Sequence, residues 1–488
     1  MLTSRLRETL PHYLHVSLES GAVCLFLVIC RDFIDKAGKW SENYDNEVCF
    51  NQARSALGSA ASMETPRTVF PRVKKVRPMD WKDTADQAAF RDEVQGLIET
   101  GLPAGYADGG DWIQDRKSDD PSKQQRAQEW QDALAGKGWI APHWPKEYGG
   151  AGLSPIEQFI FKQEMTLAGA PGVGGQGVSQ LGPTLIVHGT EEQKAEHLSK
   201  ILSGEVNWQQ GYSEPGSGSD LASLQTRAVR DGDDFVVNGQ KIWTSGAQYA
   251  DWLYVLTRTD PEAPKHRGIS FLLMEMGIPG LSLRPLIDMS GHHHFNETFF
   301  EDVRVPASNV VGEINRGWYV GATLLDFERS NITGAISSRK QIDKLINYVN
   351  TDEGAERSRL NESDPLRHQV AECFIESEVQ FNFSFRIISM QSAGQIPNYE
   401  ASTSKLFNSE LSQKLARTGT QVLGQYAQFW GHDDDDRNTY SDPPNPYAPM
   451  DGHFTQSYVR TVPSTIAAGT SEIQRNIIAT RGLGLPRG

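Results

Sequence analysis

The chain has 488 residues, of which 38% are hydrophobic and 22% are charged, and its formal net charge is -15. A chain of this length can bury a large core, and it predicts two or three domains. The acidic balance excludes nucleic acid as an expected partner, because a phosphate backbone needs a basic face.

The cysteines exclude a disulfide framework and a cysteine-based zinc site. Cys24, Cys30 and Cys49 lie in the first tenth of the chain, and Cys373 stands alone. This usage indicates a reducing compartment, namely the cytoplasm or, in a eukaryote, the mitochondrial matrix. The apolar run 21–30 is too short to span a bilayer, and no small-residue cleavage site follows it as a signal peptide would require.

Residues 1–78 differ in pattern from the rest of the chain. They carry scattered charges and no sustained helical period. We expect them to be an atypical extension, disordered or the product of a mis-set start codon, and a functional leader is the alternative.

A helical pattern begins near residue 79. The apolar positions on its first helical face are Phe90, Val94, Leu97 and Ile98. Asp83 or Thr84 is expected to cap this helix, and Gly101 is expected to end it. Further helical segments surround Trp130, Phe159 and Ile186. We therefore expect an all-helical domain over residues 79–207.

Between residues 208 and 311 the apolar period changes to two, which indicates an antiparallel sheet. The predicted strands are 229–243, 252–257, 269–275 and 297–300. The first contains Asn238-Gly239, a dipeptide that favours a type I′ hairpin turn. In the preceding loop, Gly216 and Gly218 allow positive φ and a close backbone approach to a flat or anionic ligand.

Long helical periods return after Gly317, so residues 312–488 are expected to form a second helical domain. An irregular insertion near 430–455 interrupts this domain. It contains four adjacent Asp and is expected to be a solvated loop, because the ligands of a calcium loop are spaced. The run His292-His-His294 lacks the spacing of a zinc site, so no metal is expected.

Four motifs carry a family resemblance. They are Trp144-Pro-Lys-Glu-Tyr-Gly-Gly150, Glu214-Pro-Gly-Ser-Gly-Ser-Asp220, Asn238-Gly-Gln-Lys-Ile-Trp243 and Phe299-Phe-Glu-Asp-Val-Arg-Val-Pro306. Together they resemble the acyl-CoA dehydrogenase family over nearly all of residues 79–488. The resemblance implies an α+β fold with an N-terminal all-helical domain, a middle antiparallel β-domain and a C-terminal domain like a four-helix bundle. It also implies an acyl-CoA substrate and FAD, since no side chain accepts hydride.

The same resemblance implies which residues meet the cofactor. From the middle domain they are Tyr212, Ser213, Gly218, Ser219, Trp243, Thr244 and Ser245, and from the C-terminal domain Thr470, Ser471 and Glu472. Gln421 and Gly424 match a segment that reaches the cofactor of a neighbouring subunit, although Gln425 replaces the usual second Gly. We therefore expect an oligomer built from dimers, made of one kind of chain or of two.

The base is the sharpest departure from the family pattern. The family commonly has a Glu before a Gly-Thr pair, and here Ala468 occupies that position. Similar dehydrogenases carry the base in a stretch like Asp326-Phe-Glu-Arg329, in which Glu328 matches the base. The hypothesis is that Glu328 takes the α-proton, and the alternative is a salt-bridged helix residue. The implied substrate-binding positions are Ser219, Asp326, Arg329, Ala468 and Gly469.

Three functions stay open at this point. The first is an FAD-dependent acyl-CoA dehydrogenase that passes electrons to an electron-transfer flavoprotein. The second is a catalytically silent subunit of a hetero-oligomer, which Ala468 and Gln425 favour. The third is a flavin monooxygenase or oxidase on the same fold, for which Asp326 and Arg329 would have no purpose.

Overall fold

The computed structural model of the chain describes residues 83–107, 110–327, 332–360, 363–431 and 445–486. All of them belong to one compact unit, Thr68–Gly488. The extension predicted at residues 1–78 lies outside the described residues, and so does the run of four Asp in the C-terminal insertion.

The first part of the described chain is helical. Its α-helices are α1 (Ala85–Gly101), α2 (Trp112–Lys117), α3 (Pro121–Ala135), α4 (Pro155–Ala168), α5 (Gly182–His188) and α6 (Glu191–Leu202). Thr84 caps α1, because its hydroxyl accepts the N–H of Gln87 while the Gln87 side chain accepts the N–H of Thr84. Gly101 is the last residue of the helix, so the predicted cap and stop are confirmed.

A π-helical turn, Gly177–Leu181, leads directly into α5. Its Val178 carbonyl accepts a 2.9 Å hydrogen bond from the indole Nε1 of Trp144. A Cβ on Gly182 would lie 1.7 Å from the Trp144 ring, so only glycine allows the ring to pack against this backbone. The motif that begins at Trp144 therefore supports the π turn, and such turns are frequent at functional sites.

A single sheet follows the helices. Its strands are β1 (Trp208–Gly211), β2 (Arg227–Asp231), β3 (Asp234–Lys241), β4 (Trp252–Arg258), β5 (Ile269–Glu275), β6 (Leu281–Ile287), β7 (His293–Pro306) and β8 (Val310–Val311). The order is β6-β7-β3-β2-β4-β5-β8, and β1 pairs with β4. The sheet is antiparallel except where β4 meets β1 and β2. The strands predicted at 252–257 and 269–275 pair along their whole length.

The hairpin turn predicted at Asn238-Gly239 is wrong. Both residues lie inside β3, which is one continuous strand. The turn lies between β2 and β3 instead, where Asp231 pairs with Asp234. Gly232 in this turn has a φ of +66°, which glycine adopts without strain.

Asn238-Gly239 forms a β-bulge instead of a turn. Gly239 has a φ of +150°, and the register of β3 against β7 shifts there. The Asn238 side chain exchanges two 2.9 Å hydrogen bonds with Asp302 of β7 across this shift. A bulge bends a strand without ending it, so β3 continues toward Trp243 beside β7.

The last part of the described chain is helical again. Its α-helices are α7 (Gly317–Phe327), α8 (Ile332–Val349), α9 (Asp352–Arg357), α10 (Asp364–Ser392), α11 (Tyr399–Leu423), α12 (His453–Arg460) and α13 (Ser471–Ile477). The helix α7 packs on β4, β5 and the π turn, whereas α8 packs on α4, α10 and α11. None of the described helices combines the length and apolar character that a membrane crossing requires.

Candidate active site

The loop predicted to meet the cofactor is a closed, hydrogen-bonded turn. Glu214 and Ser217 exchange two backbone hydrogen bonds of 3.0 Å, which form a small bridge around Pro215 and Gly216. At the start of the loop, the carbonyl of Ser213 accepts a 2.9 Å hydrogen bond from the N–H of Ile242, just after β3. The loop and the end of β3 are therefore joined through the backbone.

A buried ion pair also holds the same loop. The Nζ of Lys241 donates to the Tyr212 carbonyl at 2.9 Å and to a Glu214 carboxylate oxygen at 2.8 Å. The Glu214 carboxylate also accepts the backbone N–H groups of Gln225 and Thr226, at 2.6 and 2.8 Å. These four contacts connect the entrance of the loop, its bridge and its exit to β3.

The burial of this pair is nearly complete. The exposed fraction is 0% for Lys241 and 8% for Glu214. Burial lowers the pKa of Lys241 to about 8. Burial alone would raise the pKa of Glu214, but the Lys241 charge and the hydrogen bonds hold that pKa below its ordinary value. Both groups are therefore charged at neutral pH, and each compensates the other.

The two loop glycines differ from the expectation of positive φ. Neither Gly216 nor Gly218 is among the positive-φ residues. A Cβ built on either would meet no atom of the described chain within 4 Å. Their backbone therefore faces open space rather than another part of the protein, which fits a ligand approaching the backbone.

Trp243 combines a strained backbone with an exposed side chain. Its φ is +62°, which is rare for a large residue, and its side chain is 58% exposed. The Trp243 and Phe295 rings are nearly perpendicular in a T-shaped contact, and their centroids lie 5.8 Å apart. Strain of this kind persists where the surrounding structure imposes it, and it clusters at functional sites.

The two residues after Trp243 are fixed by β7. Thr244 is buried, and its N–H donates to the carbonyl of Asn296 while its own carbonyl accepts from the Asn296 amide. Ser245 is half-buried beside it. The segment that carries these residues is therefore joined to β7 by hydrogen bonds.

The side chains of the three histidines 292–294 contact different partners. The Arg460 guanidinium donates to Nε2 of His292, His293 bonds to the side chain of Asn296, and the His294 ring packs on Phe295. His293 and His294 are the first two residues of β7. Within the described chain, no group of three His, Cys, Asp or Glu side chains could hold a metal ion.

The loop that contains Ala468 is strained and exposed. Ala468 has a φ of +53° and the next residue, Gly469, a φ of +83°. The Gly469 carbonyl accepts a 2.8 Å hydrogen bond from Lys405, and Gln474 donates to the carbonyls of both residues. No acceptor among the described residues takes the N–H of Ala468. The loop can therefore present this N–H to a ligand.

The three C-terminal cofactor positions follow at the start of α13. Thr470 caps the helix, since its hydroxyl accepts the N–H of Ile473. The Ser471 hydroxyl is buried and has no hydrogen-bond partner among the described residues. Glu472 lies in the first turn, where its own N–H and the Thr470 hydroxyl lower the pKa of its carboxyl. This arrangement favours a role of Glu472 in capping the helix over a role as the base.

The predicted base and its neighbours are only partly described. Asp326 lies near the end of α7, whereas Glu328 and Arg329 lie outside the described residues. The helix α7 is tied to α5 by a 2.9 Å hydrogen bond between His188 and Thr323. It also packs against Tyr212, whose hydroxyl lies 3.2 Å from where a Cβ on Gly321 would be. The helix that leads to Glu328 is therefore adjacent to the cofactor loop.

Gln421 and Gly424 lie at the far end of α11 from the strained loop. The Ala468 loop is bound to α11 through Lys405, which is 16 residues before Gln421. At about 1.5 Å per residue, the two points are roughly 24 Å apart along the helix. Gly424 ends α11 with a φ of +55° and a ψ of -123°. The structure therefore separates these two residues from Thr470 and Ser471.

A cavity of about 470 Å³ borders the cofactor loop on one side. It is lined by Glu214, Pro215, Gly216, Ser217, Ser223, Gln225, Thr226, Gly239 and Gln240. Tyr212, Ser213, Gly218 and Trp243 do not line it. These four predicted cofactor positions therefore lie outside the lining of that cavity.

Sequence reasoning missed three residues that hold this site together. Glu214, Lys241 and Lys405 make the contacts described above. The Glu and Lys of the pair stand inside the two recognised motifs, 27 positions apart. An acidic residue in one motif and a basic residue in the other were the signal that could have indicated a pair.

Models of known protein families match nearly all of the described chain. Residues 84–205 match the model of the acyl-CoA dehydrogenase N-terminal domain. Residues 210–303 match the middle domain, and residues 315–483 match the C-terminal domain.

Similar proteins are found among characterised sequences and solved structures. Acyl-CoA dehydrogenase FadE26 of Mycobacterium tuberculosis is 38% identical over 357 residues, which are 72% of this chain and 86% of that protein. The solved Tcur3481-Tcur3483 steroid ACAD is 33% identical, with a TM-score of 0.71, over 84% of this chain and 100% of that one. The ChsE4-ChsE5 complex from Mycobacterium tuberculosis is 34% identical, with a TM-score of 0.67, over 84% of this chain and 100% of that one.

Proposed function

This chain belongs to the acyl-CoA dehydrogenase family, and we propose that it oxidises the Cα–Cβ bond of an acyl-CoA thioester with bound FAD and passes the electrons to an electron-transfer flavoprotein. The observation that carries the proposal is Trp243, which is exposed and strained and is followed by Thr244, a residue that hydrogen bonds hold to β7. An exposed aromatic ring on a strained backbone needs a ligand that covers the ring.

The residues present fit FAD. Gly216 and Gly218 leave open space above the loop backbone, and Ser471 supplies a buried hydroxyl without a partner among the described residues. We propose that Tyr212, Ser213, Gly218, Ser219, Trp243, Thr244, Ser245, Thr470, Ser471 and Glu472 hold the cofactor. FAD bound there supplies the hydride acceptor that the chain lacks.

The remaining chemistry belongs to side chains and backbone of this chain. In the proposal, Glu328 takes the α-proton, and the N–H groups of Ala468 and Gly469 hold the thioester carbonyl as negative charge develops on its oxygen. The strained loop suits this role because its carbonyls are already engaged by Lys405 and Gln474. Asp326 and Arg329 would meet the pantetheine part of the substrate.

We further propose a bulky, ring-containing acyl group. Support comes from the solved steroid ACAD, which is 33% identical over 84% of this chain. The test is a panel of acyl-CoA thioesters, straight-chain, branched and with a steroid side chain, assayed with an artificial electron acceptor. Preference for the steroid thioester is expected, and turnover of straight chains alone would contradict this substrate class.

The electron acceptor is tested separately. Reduced enzyme should pass its electrons to an electron-transfer flavoprotein faster than to oxygen. Oxygen consumption that matches product formation one to one would indicate an oxidase instead.

A silent subunit in a hetero-oligomer is the second candidate. Ala468 favours it because alanine cannot take a proton, and the ChsE4-ChsE5 structure is a complex of two chains. Purification of the chain alone decides between the two. A colourless, inactive protein would favour the silent subunit, and a yellow protein that oxidises an acyl-CoA would exclude it.

A further inference from the structure

The cofactor loop contains only two short structured pieces, the Glu214–Ser217 bridge and a 3-10 turn at Leu221–Ser223, yet both of its ends are fixed. The entrance is fixed at the Tyr212 carbonyl, and the exit at the N–H groups of Gln225 and Thr226. All three points converge on one pair of side chains, Glu214 and Lys241.

Lys241 is also the last residue of β3, two positions before Trp243. Its backbone therefore belongs to the strand that delivers the exposed ring, while its Nζ reaches back to the loop. A shift of the ammonium would move the loop relative to Trp243. The two surfaces predicted to line the isoalloxazine are thus coupled through one side chain.

Burial of the pair argues for a purpose other than stability. Removal of two charges from water is expensive, and apolar residues of similar size often replace a buried pair without loss of stability. A second ion pair, between the buried Asp115 and the half-buried Arg126, joins α2 to α3 through two hydrogen bonds of 2.7 Å. Among the described residues no hydrogen bond joins that pair to the cofactor loop, so it provides a comparison from another part of the chain.

We propose that Glu214 and Lys241 are positioning residues that preorganise the loop 212–226 against Trp243 for the cofactor. This inference rests on the proposed function. Without the pair, the loop would have to become ordered when FAD binds, and that ordering would lower the affinity. The pair itself need not touch the cofactor or the substrate.

The test uses the double variant Glu214→Gln/Lys241→Met in the full chain. Glutamine retains an oxygen for one of the two N–H groups, and methionine retains most of the lysine volume, so neither leaves a buried charge unpaired. FAD affinity is measured by titration of the cofactor-free protein, and thermal unfolding is measured on the same samples. We expect the FAD dissociation constant to rise at least about tenfold, a change of about 1.4 kcal/mol, with a melting temperature close to that of the parent.

A second readout does not depend on FAD. Backbone amide exchange in residues 212–226 of the cofactor-free double variant should be at least about tenfold faster than in the parent, while exchange in β5 stays unchanged. If the variant does not fold, the single variant Glu214→Asp, which keeps both charges but shortens the carboxylate side chain by one methylene, is measured in the same way.

The control is Asp115→Asn/Arg126→Met. It should leave both FAD affinity and exchange of the loop unchanged. Parent-like FAD affinity in the Glu214 and Lys241 double variant, or equal losses in the control, would overturn the inference. A parent protein that binds FAD but oxidises no acyl-CoA would refute the proposed function alone, whereas a parent that binds no FAD would overturn both.

Discussion

The Nζ of Lys405 donates a 2.8 Å hydrogen bond to the carbonyl of Gly469. This contact ties the loop that carries Ala468 to α11, and Gln474 holds the same carbonyl at 3.3 Å. Two successive residues are thereby kept at positive φ, although the first of them is not glycine. The direction of the Ala468 N–H is set by the neighbouring helices and not by its own side chain.

Ala468→Gly should stabilise the fold. The left-handed conformation costs a non-glycine residue about 1 to 2 kcal/mol, and the greater freedom of glycine in the unfolded chain offsets part of this gain. We expect a net increase in the free energy of unfolding of about 0.5 kcal/mol, measured by urea denaturation. Ala467→Gly is the control, because Ala467 is not at positive φ, and it should be neutral or destabilising. A loss of stability in Ala468→Gly would show that the strain is not relieved.

Glu328→Gln should abolish most of the activity while it leaves binding intact. The amide keeps the shape of the carboxylate but cannot take a proton, so substrate-dependent bleaching of the flavin should slow by at least about 10²-fold. Stopped-flow absorbance measures this rate, and acyl-CoA titration measures binding.

The companion variant is Ala468→Glu in the Glu328→Gln background, since the family pattern suggests that a carboxylate there reaches the same carbon. Partial recovery of the bleaching rate is expected. Bleaching of Glu328→Gln at the parent rate would place the base elsewhere.

Acid should destabilise the protein in part through His143. Burial, and then the charge of Lys162, lower the pKa of His143 from 6.5 to about 4. As the pH falls, the unfolded chain therefore binds a proton on His143 before the folded chain does. The contribution of neutral His143 to the free energy of unfolding is fully present above pH 6.5 and is lost as the pH drops toward 4. Between pH 7 and 4.5, His143→Gln should lose roughly 2.5 kcal/mol less free energy of unfolding than the parent. Urea denaturation at the two pH values measures the difference, and equal losses would refute the assignment.

Gly424→Ala should destabilise the C-terminal helices. The backbone at φ +55° and ψ -123° is accessible almost only to glycine, and a Cβ there would lie 2.6 Å from Cδ of Arg359. A cost of about 1 to 3 kcal/mol is expected in urea denaturation. The control is Gly394→Ala, where φ is also positive but a Cβ meets no described atom within 4 Å. Equal costs in the two variants would mean that the contact with Arg359 is unimportant.

Periodic apolar patterns predicted most of the fold. The strand predicted at 269–275 has these bounds in the structure, and Thr84 was one of the two caps predicted for α1. These features depend on neighbours in sequence, such as alternating burial or a capping box. The mistaken hairpin at Asn238-Gly239 shows the limit, because the same dipeptide serves a bulge when a long partner strand such as β7 continues past it.

The sequence predicted which motifs belong to the site, but it did not predict the contacts that hold these motifs in place. Glu214 and Lys241 interact across 27 positions, and the distance between them depends on the path of β2 and β3. Lys405 and Gly469 are 64 positions apart. Contacts of this kind follow from tertiary packing, which leaves no period in the sequence. The roles of the predicted site residues themselves stay predictions.

The two edges of the sheet have a consequence for assembly. The edge strand β6 contains Pro285, which has no N–H to offer another strand, and at the other end of the strand order β8 has only two residues. Neither edge is therefore a template for strand addition, and this protects the chain against edge-to-edge aggregation. At these two edges, association with a partner would rely on side-chain surfaces, whose complementarity can distinguish one partner from another, and not on backbone pairing.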